Sequence, residues 1–365
     1  MFGIGMFSKI KKLKNISICV FIFFIFIFCI FKYVKIIKNK KNINKIVFSV
    51  LLYDLDGTFL NRLEMYIILY DKKNNILKIL PINTDVVIDK IEGTLVKQKS
   101  IRDIFNTDLI DSNSNVAIYN FYINLYKVIG NIKIDFFINS NFKALSEVIY
   151  KKNNKKSIFK NNFYCIDDNT NFLIRSDIID TILNFISLKI FNVYKIYHLF
   201  NTNIKKYFFI LIYYKMKFFK PNIVFYDFPV KHNKGQIKPN IKNIKKILNS
   251  MYSIIDINEN INIRNVTIDI KNASCKYNIA KNIAFFLRTS GFDVLDWGNS
   301  NVIYDKTLIK NHNGEFKNAL KIFKILGIGK IFVSYDINIY QNITIFIGKD
   351  FIKHKINNIL LNKSV

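Results

Sequence analysis

From Ile46 to Ile82 the chain reads as apolar strands set end to end: KIVFSVLLYDL, then EMYIILYD, then NILKILPI, with Asp71-Lys72-Lys73-Asn74-Asn75 between the last pair. A polar Asn/Asp segment between runs rich in Ile, Leu and Tyr predicts a hairpin, and Pro81 ends it because proline cannot donate to a ladder. An antiparallel hairpin this early fixes the start of a sheet. The rest of the chain has to cover it.

Beyond the hairpin, helices and strands alternate. A short helix is expected over Thr94 to Phe105, a longer one over Asn115 to Gly130 with Gly130-Asn131 as its stop, a strand in KIDFFINSN and a helix in FKALSEVIY. NFLIRSDIIDTILNFISLKIFNVYKIYHLFNT reads as helix, and NIKKYFFILIYYKMKFF as a buried helix whose charged interruptions argue against a membrane span. Around Phe225 to Tyr252, Pro229, Pro239, a His-Asn-Lys-Gly turn and an amphipathic helix mark the end of a first domain. After a linker over 253–262, strand NVTIDIKNA, helix NIAKNIAFFLRTSG, strand FDVLDWGNS, a loop, helix GEFKNALKIFKILG and strand NITIFIGKD make a small α/β domain over 263–352. The expected fold is therefore α/β, with helices on both faces of a mixed sheet over 46–252 and a second, smaller α/β domain.

The N-terminus carries its own signal. Basic KIKKLKN precedes the charge-free run Ile16 to Phe31 and lysines come after it, so 16–34 is expected to be a retained transmembrane helix, 1–15 a cytoplasmic basic tail, and the large polar part extracytoplasmic. No small-x-small cleavage site follows the run. Lys plus Arg number 55 against 26 Asp plus Glu, a net charge of +29, but the lysines are spread along the chain without an Arg-rich stripe. The charge reads as compositional bias, so nucleic acid is not an expected partner, while membrane lipid is expected through the apolar run. Cys19, Cys29, Cys165 and Cys275 lack metal spacing, and His198, His232, His312 and His354 are isolated, each expected to be structural or exposed.

VLLYDLDGT, residues 50 to 58, resembles the nucleophile loop of the haloacid-dehalogenase-like phosphatases. That resemblance implies Asp54 as phosphoryl acceptor and Asp56 as acid/base, with Mg2+, Ser140 and the pair Asp167-Asp168 completing the site. The hairpin directly after the loop speaks against it, since such a loop leads into a helix or a cap. A second resemblance begins with that hairpin. LLYDLDG, NRLEMYIIL and KILPINTDV resemble, in order, the opening motifs of membrane-anchored LytR-CpsA-Psr (LCP) proteins, putting Asp54, Arg62 and Glu64 on signature positions. Ile82 and Asn83 stand where that family has Arg and Asp. IDFFINSNFKALSEVI continues the likeness, and NFLIRSDIIDTI offers Arg175 at the second of the family's paired helix arginines, with Phe172 at the first and Ser176 at the following Gln. Residues 265–351 are similar to the family's LytR C-terminal domain, through VTIDIKNASCKYNIAKNIAFFLRTSGFDVLDWGNS, YDKTLI, NALKIFKILG and TIFIGKDF.

The resemblance implies a cell-envelope glycopolymer phosphotransferase that moves a glycan from a polyprenyl-pyrophosphate carrier to peptidoglycan with Mg2+. It implies Asp54, Arg62 and Arg175 as catalytic, Arg62 and Arg175 as substrate-binding, and Asp54, Asp56 and Glu64 as metal ligands. The 35 phenylalanines and 20 tyrosines would suit a prenyl pocket, and equally a plain core. Losing the Arg-Asp pair to Ile82 and Asn83 leaves two readings beside each other: a transferase, and a noncatalytic envelope-binding or scaffolding protein on the same folds.

Overall fold

Alternation decides the first strands. In Lys45–Asp56 (β1), Val47 and Leu51 face one side while Ile46, Phe48 and Leu52 face the other, all buried. In Phe59–Asp71 (β2), Leu63, Met65, Ile67 and Leu69 join the first group and Tyr66 and Tyr70 the second. A strand apolar on both faces belongs in the middle of a covered sheet. The structure, a computed structural model, describes residues 45–56, 59–92, 95–111, 114–130, 132–141, 163–165, 173–175, 194, 197–233, 235–253, 266–336 and 338–353. The expected span over 16–34 lies outside these residues; among them, no helix is long and apolar enough to cross a membrane.

The hairpin is as expected: β2 pairs antiparallel with Ile76–Ile82 (β3), Met65 opposite Ile82 and Asp71 opposite Ile76. Next come Val87–Glu92 (β4) and Leu95–Ser100 (β5), paired as a two-stranded ribbon, then the helices Ile101–Asp111 (α1) and Ser114–Ile129 (α2). The helix expected over Thr94 to Phe105 is thus corrected: its first half is a strand, because pairing with β4 outweighs the helical leaning of Lys and Gln in LVKQKS. Gly130 stops α2 with φ +76°. Phe136–Asn141 (β6) lies parallel to β1. Phe163–Cys165 (β7) and Leu173–Arg175 (β8) form another two-stranded ribbon, so Arg175 sits on a strand and not on the helix expected there. The helix expected in FKALSEVIY and the Asp167-Asp168 pair lie outside the described residues.

After the short strand Asn201–Thr202 (β9) come helix Lys206–Phe219 (α3) and strand Asn222–Tyr226 (β10). A ribbon of Val230–Asn233 (β11) and Gln236–Pro239 (β12) leads to helix Ile241–Tyr252 (α4), which Asn240 caps by accepting from the Asn243 amide. The last part runs Thr267–Asn272 (β13), Ile279–Thr289 (α5), Asp293–Asn299 (β14), Leu308–Asn311 (β15), Phe316–Leu326 (α6), Lys330–Val333 (β16) and Ile343–Ile347 (β17).

One mixed, 11-stranded sheet holds most of this, in the order β14-β13-β17-β15-β16-β10-β3-β2-β1-β6-β9. Strand β10 is parallel to β3 on one side and to β16 on the other, Val224 facing Lys78 and Ile331. The strands expected in a separate C-terminal domain therefore continue the first sheet, and residues 45–365 form one compact unit. One face is covered by α1, α2, α4, α5 and α6, through residues such as Phe105, Phe121, Ile247, Ile283 and Phe316; the other carries α3, through Phe209, Ile212 and Tyr213.

Candidate functional site

Strands β6, β1, β3, β10, β16 and β15 all point the same way, so their carboxyl ends line one edge of the sheet. In open α/β sheets ligands bind outside this edge, where strand ends leave room between loops. The Asp-rich loop lies there. Asp54 stands directly opposite Arg62 in the β1–β2 ladder, and the register shifts immediately beyond, between Asp54 and Leu55. Such an irregularity ends regular pairing and re-aims the chain. The side chains of Asp54, Asp56, Arg62 and Arg175 lie outside the described residues; the backbone brings Asp54 and Arg62 together and puts Arg175 in the separate β7–β8 ribbon, opposite Phe163.

Glu64, opposite Leu52, is buried, and the Tyr66 hydroxyl donates to its Oε2 at 2.7 Å. This carboxylate is thus hydrogen-bonded within the sheet, while Asp54 and Asp56, expected beside it around Mg2+, have side chains outside the described residues. Ile82 is 5% exposed and belongs to the core, while Asn83 accepts the Asp85 amide at 2.9 Å to shape the turn after β3. Packing and turn roles thus fill the two positions where the resembled family carries its Arg and Asp.

A guanidinium that no sequence motif marks stands at the same edge. The Arg102 amide donates to the Thr84 carbonyl at 2.9 Å, and its Nε lies 3.0 Å from Asp85 Oδ1. Both side chains are well exposed, so water screens the pair. Nothing in IRDIFNT distinguishes this arginine; only the return of α1 to the end of β3 brings it here. Ser140, on β6 opposite Leu52, donates toward the carbonyls of Asn141 and Leu199 at 3.3 and 3.2 Å. Its hydroxyl is thereby tied to backbone, and the hairpin pairing of β2 with β3 likewise departs from the parallel arrangement the phosphatase resemblance requires. Beneath this edge the Ser49 hydroxyl donates to Tyr122 at 2.7 Å and Tyr122 to Asn139 at 3.1 Å; burial pushes the Tyr122 phenol up to about 12, so it remains a neutral donor.

A second polar group occupies the edge at the ends of β10, β16 and β15. The Asp227 amide donates to Val333, Ser334 to Asn311, and Asp336 to His312, at 2.8, 2.8 and 2.9 Å. His312 is 3% exposed, its Nε2 lies 2.9 Å from the Thr344 hydroxyl, and burial, with the Lys310 charge adding, lowers its pKa to about 3. It is a neutral, structural histidine, as expected of an isolated one. The Asp227 carboxyl is pushed up to about 7 by its enclosure, with Lys310 opposing and Asp336 adding. His312 Nδ1 and Asn311 Nδ2 are buried without a hydrogen-bond partner among the described residues. Sequence patterning could not reveal this group, since it forms only where strands from distant parts of the chain meet.

No curated protein matches the chain. Among solved structures, TagU of Bacillus subtilis is 14% identical, with 57% of this chain and 98% of that one covered at a TM-score of 0.39. Lin1025 from Listeria innocua is 13% identical, with coverage of 57% and 97% and a TM-score of 0.37. Protein gbs0355 from Streptococcus agalactiae is 14% identical, with coverage of 53% and 82% and a TM-score of 0.37. At these scores the likenesses carry no argument about the whole chain. The C-terminal resemblance is met directly: residues 265–351, from just before β13 to the end of β17 and the turn after it, match the family model described as LytR cell envelope-related transcriptional attenuator.

Proposed function

We infer that this is a cell-envelope protein whose β1–β2 edge handles a phosphate-linked glycan, carried on a polyprenyl pyrophosphate and destined for peptidoglycan. The observation that carries the reading is the ladder position of Asp54 directly opposite Arg62, at the carboxyl edge of the sheet and just before the register shift. An acidic and a guanidinium residue held to one another by backbone pairing supply what phosphoryl transfer asks of a protein: positioning, and neutralisation of charge on phosphate oxygens. In the transfer, an acceptor hydroxyl oxygen bonds to the phosphorus nearest the sugar, the bridging P–O bond breaks to release polyprenyl phosphate, and the hydroxyl proton leaves to solvent. Arg62 grips the phosphate, and Arg175 is its proposed second cation. Asp54, Asp56 and Glu64 are the carboxylates proposed for Mg2+, Glu64 also accepting from the Tyr66 hydroxyl. The LytR_C match over 265–351 supports the envelope setting. The membrane anchor at 16–34 and the extracytoplasmic placement of residues 45–365 belong to the same proposal.

A specific observation favours the noncatalytic alternative: Ile82 is packed into the core and Asn83 is spent on a turn, so the grip is thinner than the resembled family's. One experiment separates the readings. The detergent-solubilised full chain is given a polyprenyl-pyrophosphate glycan and a peptidoglycan acceptor, with and without Mg2+, beside Asp54→Ala and Arg62→Ala. Turnover that falls roughly hundredfold in either variant supports the transferase. Binding of the donor without turnover, unchanged by both substitutions, overturns the catalytic reading and leaves the binding protein.

A further inference from the structure

The opposite edge of the sheet carries a surface that phosphate chemistry does not use. Helix α3 ends there in Phe218 and Phe219, 74% and 65% exposed, with the Phe218 ring stacked on Tyr214 at 6.0 Å. The helix stops at Lys220, an exposed residue with φ 41°, whose amide returns to Met216. The β2–β3 turn is fastened to this end: Asn75 Nδ2 donates to the Phe219 carbonyl at 2.7 Å, and the Asn222 amide to the Asn75 carbonyl at 3.0 Å. The same turn carries exposed Lys73. Lys45, where the described chain begins, stands opposite Asp71 at the same edge. Two exposed phenyl rings, exposed Lys73 and Lys220, and Lys45 at the start of β1 thus share one end of the fold.

We propose that this edge, centred on Phe218 and Phe219, docks on an anionic lipid surface. The position of Lys45 and the charge of the patch argue for that occupant. Resting on the proposed anchor at 16–34, the ten residues 35–44 bound the distance from the membrane to Lys45 at about 35 Å, and Lys45 lies at this edge. Phenylalanines buried about 5–10 Å into the headgroup and acyl boundary, with lysines reaching the headgroups, are the chemistry of an interfacial contact. Surface patches of this kind otherwise mark protein contacts, but the surrounding lysines favour anionic headgroups over an apolar protein face. Asp54 lies nine residues along β1 from Lys45, roughly 30 Å from this edge.

The test reads depth rather than activity, so it stands apart from the transferase assay. Trp297 is the single tryptophan of the chain, which permits a Trp297→Phe background. Full chain carrying Phe219→Trp is reconstituted with phosphatidylglycerol vesicles whose acyl chains are brominated. The control carries Tyr340→Trp, a residue 83% exposed that precedes β17 at the other edge of the sheet. Quenching roughly twofold or more greater for Phe219→Trp than for Tyr340→Trp, reduced by Lys220→Glu, is the expected result. Equal quenching, or none in either, overturns the proposal. A Phe219→Trp signal shielded from both bromine and aqueous acrylamide also overturns it, because a second copy or another protein then covers the patch. Phe218→Trp provides an independent reading should Phe219→Trp fail to fold.

Discussion

Lys78 is fully buried on β3, among Ile76, Leu80 and Ile82, where a strand apolar on both faces would ordinarily carry another aliphatic residue. Its Nζ donates to the Met251 carbonyl at 2.8 Å and sits 4.2 Å from the centroid of the Phe316 ring, while Lys45 Nζ donates to the Tyr252 carbonyl. Both lysines thus satisfy the last carbonyls of α4, where the helix dipole favours positive charge. Burial nevertheless pushes the Lys78 ammonium down to about 7 from 10.5, with Asp71 opposing and Lys45 adding. Between pH 7 and 10.5 the unfolded chain therefore holds more protons than the folded one, so this group makes stability rise with pH across that window. Below it the burden of the buried charge is fully present. Lys78→Met is expected to flatten the rise, measured as urea midpoints at about pH 7 and about pH 10; an unchanged slope would assign the effect to another group.

At the scale of elements, the β2–β3 turn does more than reverse the chain. Asp71 accepts from the Asn74 amide and side chain at 3.1 and 2.8 Å, Asn75 takes φ 52°, and its side chain links the turn to the end of α3. Asparagine tolerates the left-handed region and supplies that link, whereas a β-branched residue does neither. Asn75→Val is therefore expected to cost about 1–3 kcal/mol, and Asn75→Gly, which keeps the backbone and loses the link, about 1 kcal/mol. Equal losses in chemical denaturation would show that backbone conformation is not what the position selects. The turn segment itself was legible, since Asp71 to Asn75 is polar between apolar runs. Its fastening to Phe219 was not, because that partner lies far along the chain.

The whole molecule is set by β10. It joins β3 to β16, so the part matching LytR_C is hydrogen-bonded into the sheet that carries Asp54 and Arg62. A continuous sheet with shared helices on one face is expected to unfold as one unit. Circular dichroism and Trp297 fluorescence should give coincident transitions over residues 45–365, even though Trp297 lies on the edge strand β14, far from β1. Separate midpoints would mean that the two parts fold independently despite the pairing. A chain cut after α4 would bare the edge of β10 and is expected to aggregate.

Sequence alone determined the elements whose pattern is local: the β2–β3 hairpin from its alternation and polar turn, the stop of α2 at Gly130, and the helix periods of α4, α5 and α6. It did not pair Asp54 with Arg62: the strand read from sequence begins at Glu64, and only the β1–β2 ladder extends it back past Arg62. Tertiary structure decided what depends on distant partners. The strands β10, β15 and β16 are short apolar runs that no local period separates from other buried segments, and parallel pairing comes from crossovers rather than turns. It made a strand of LVKQKS and of the segment holding Arg175, where pairing outweighed helical leaning. It buried Lys78 and His312 in the core, and it set Phe218 and Phe219 beside the entry of the chain. Burial and proximity depend on which elements meet, and a single chain read in order contains no record of that until it has folded.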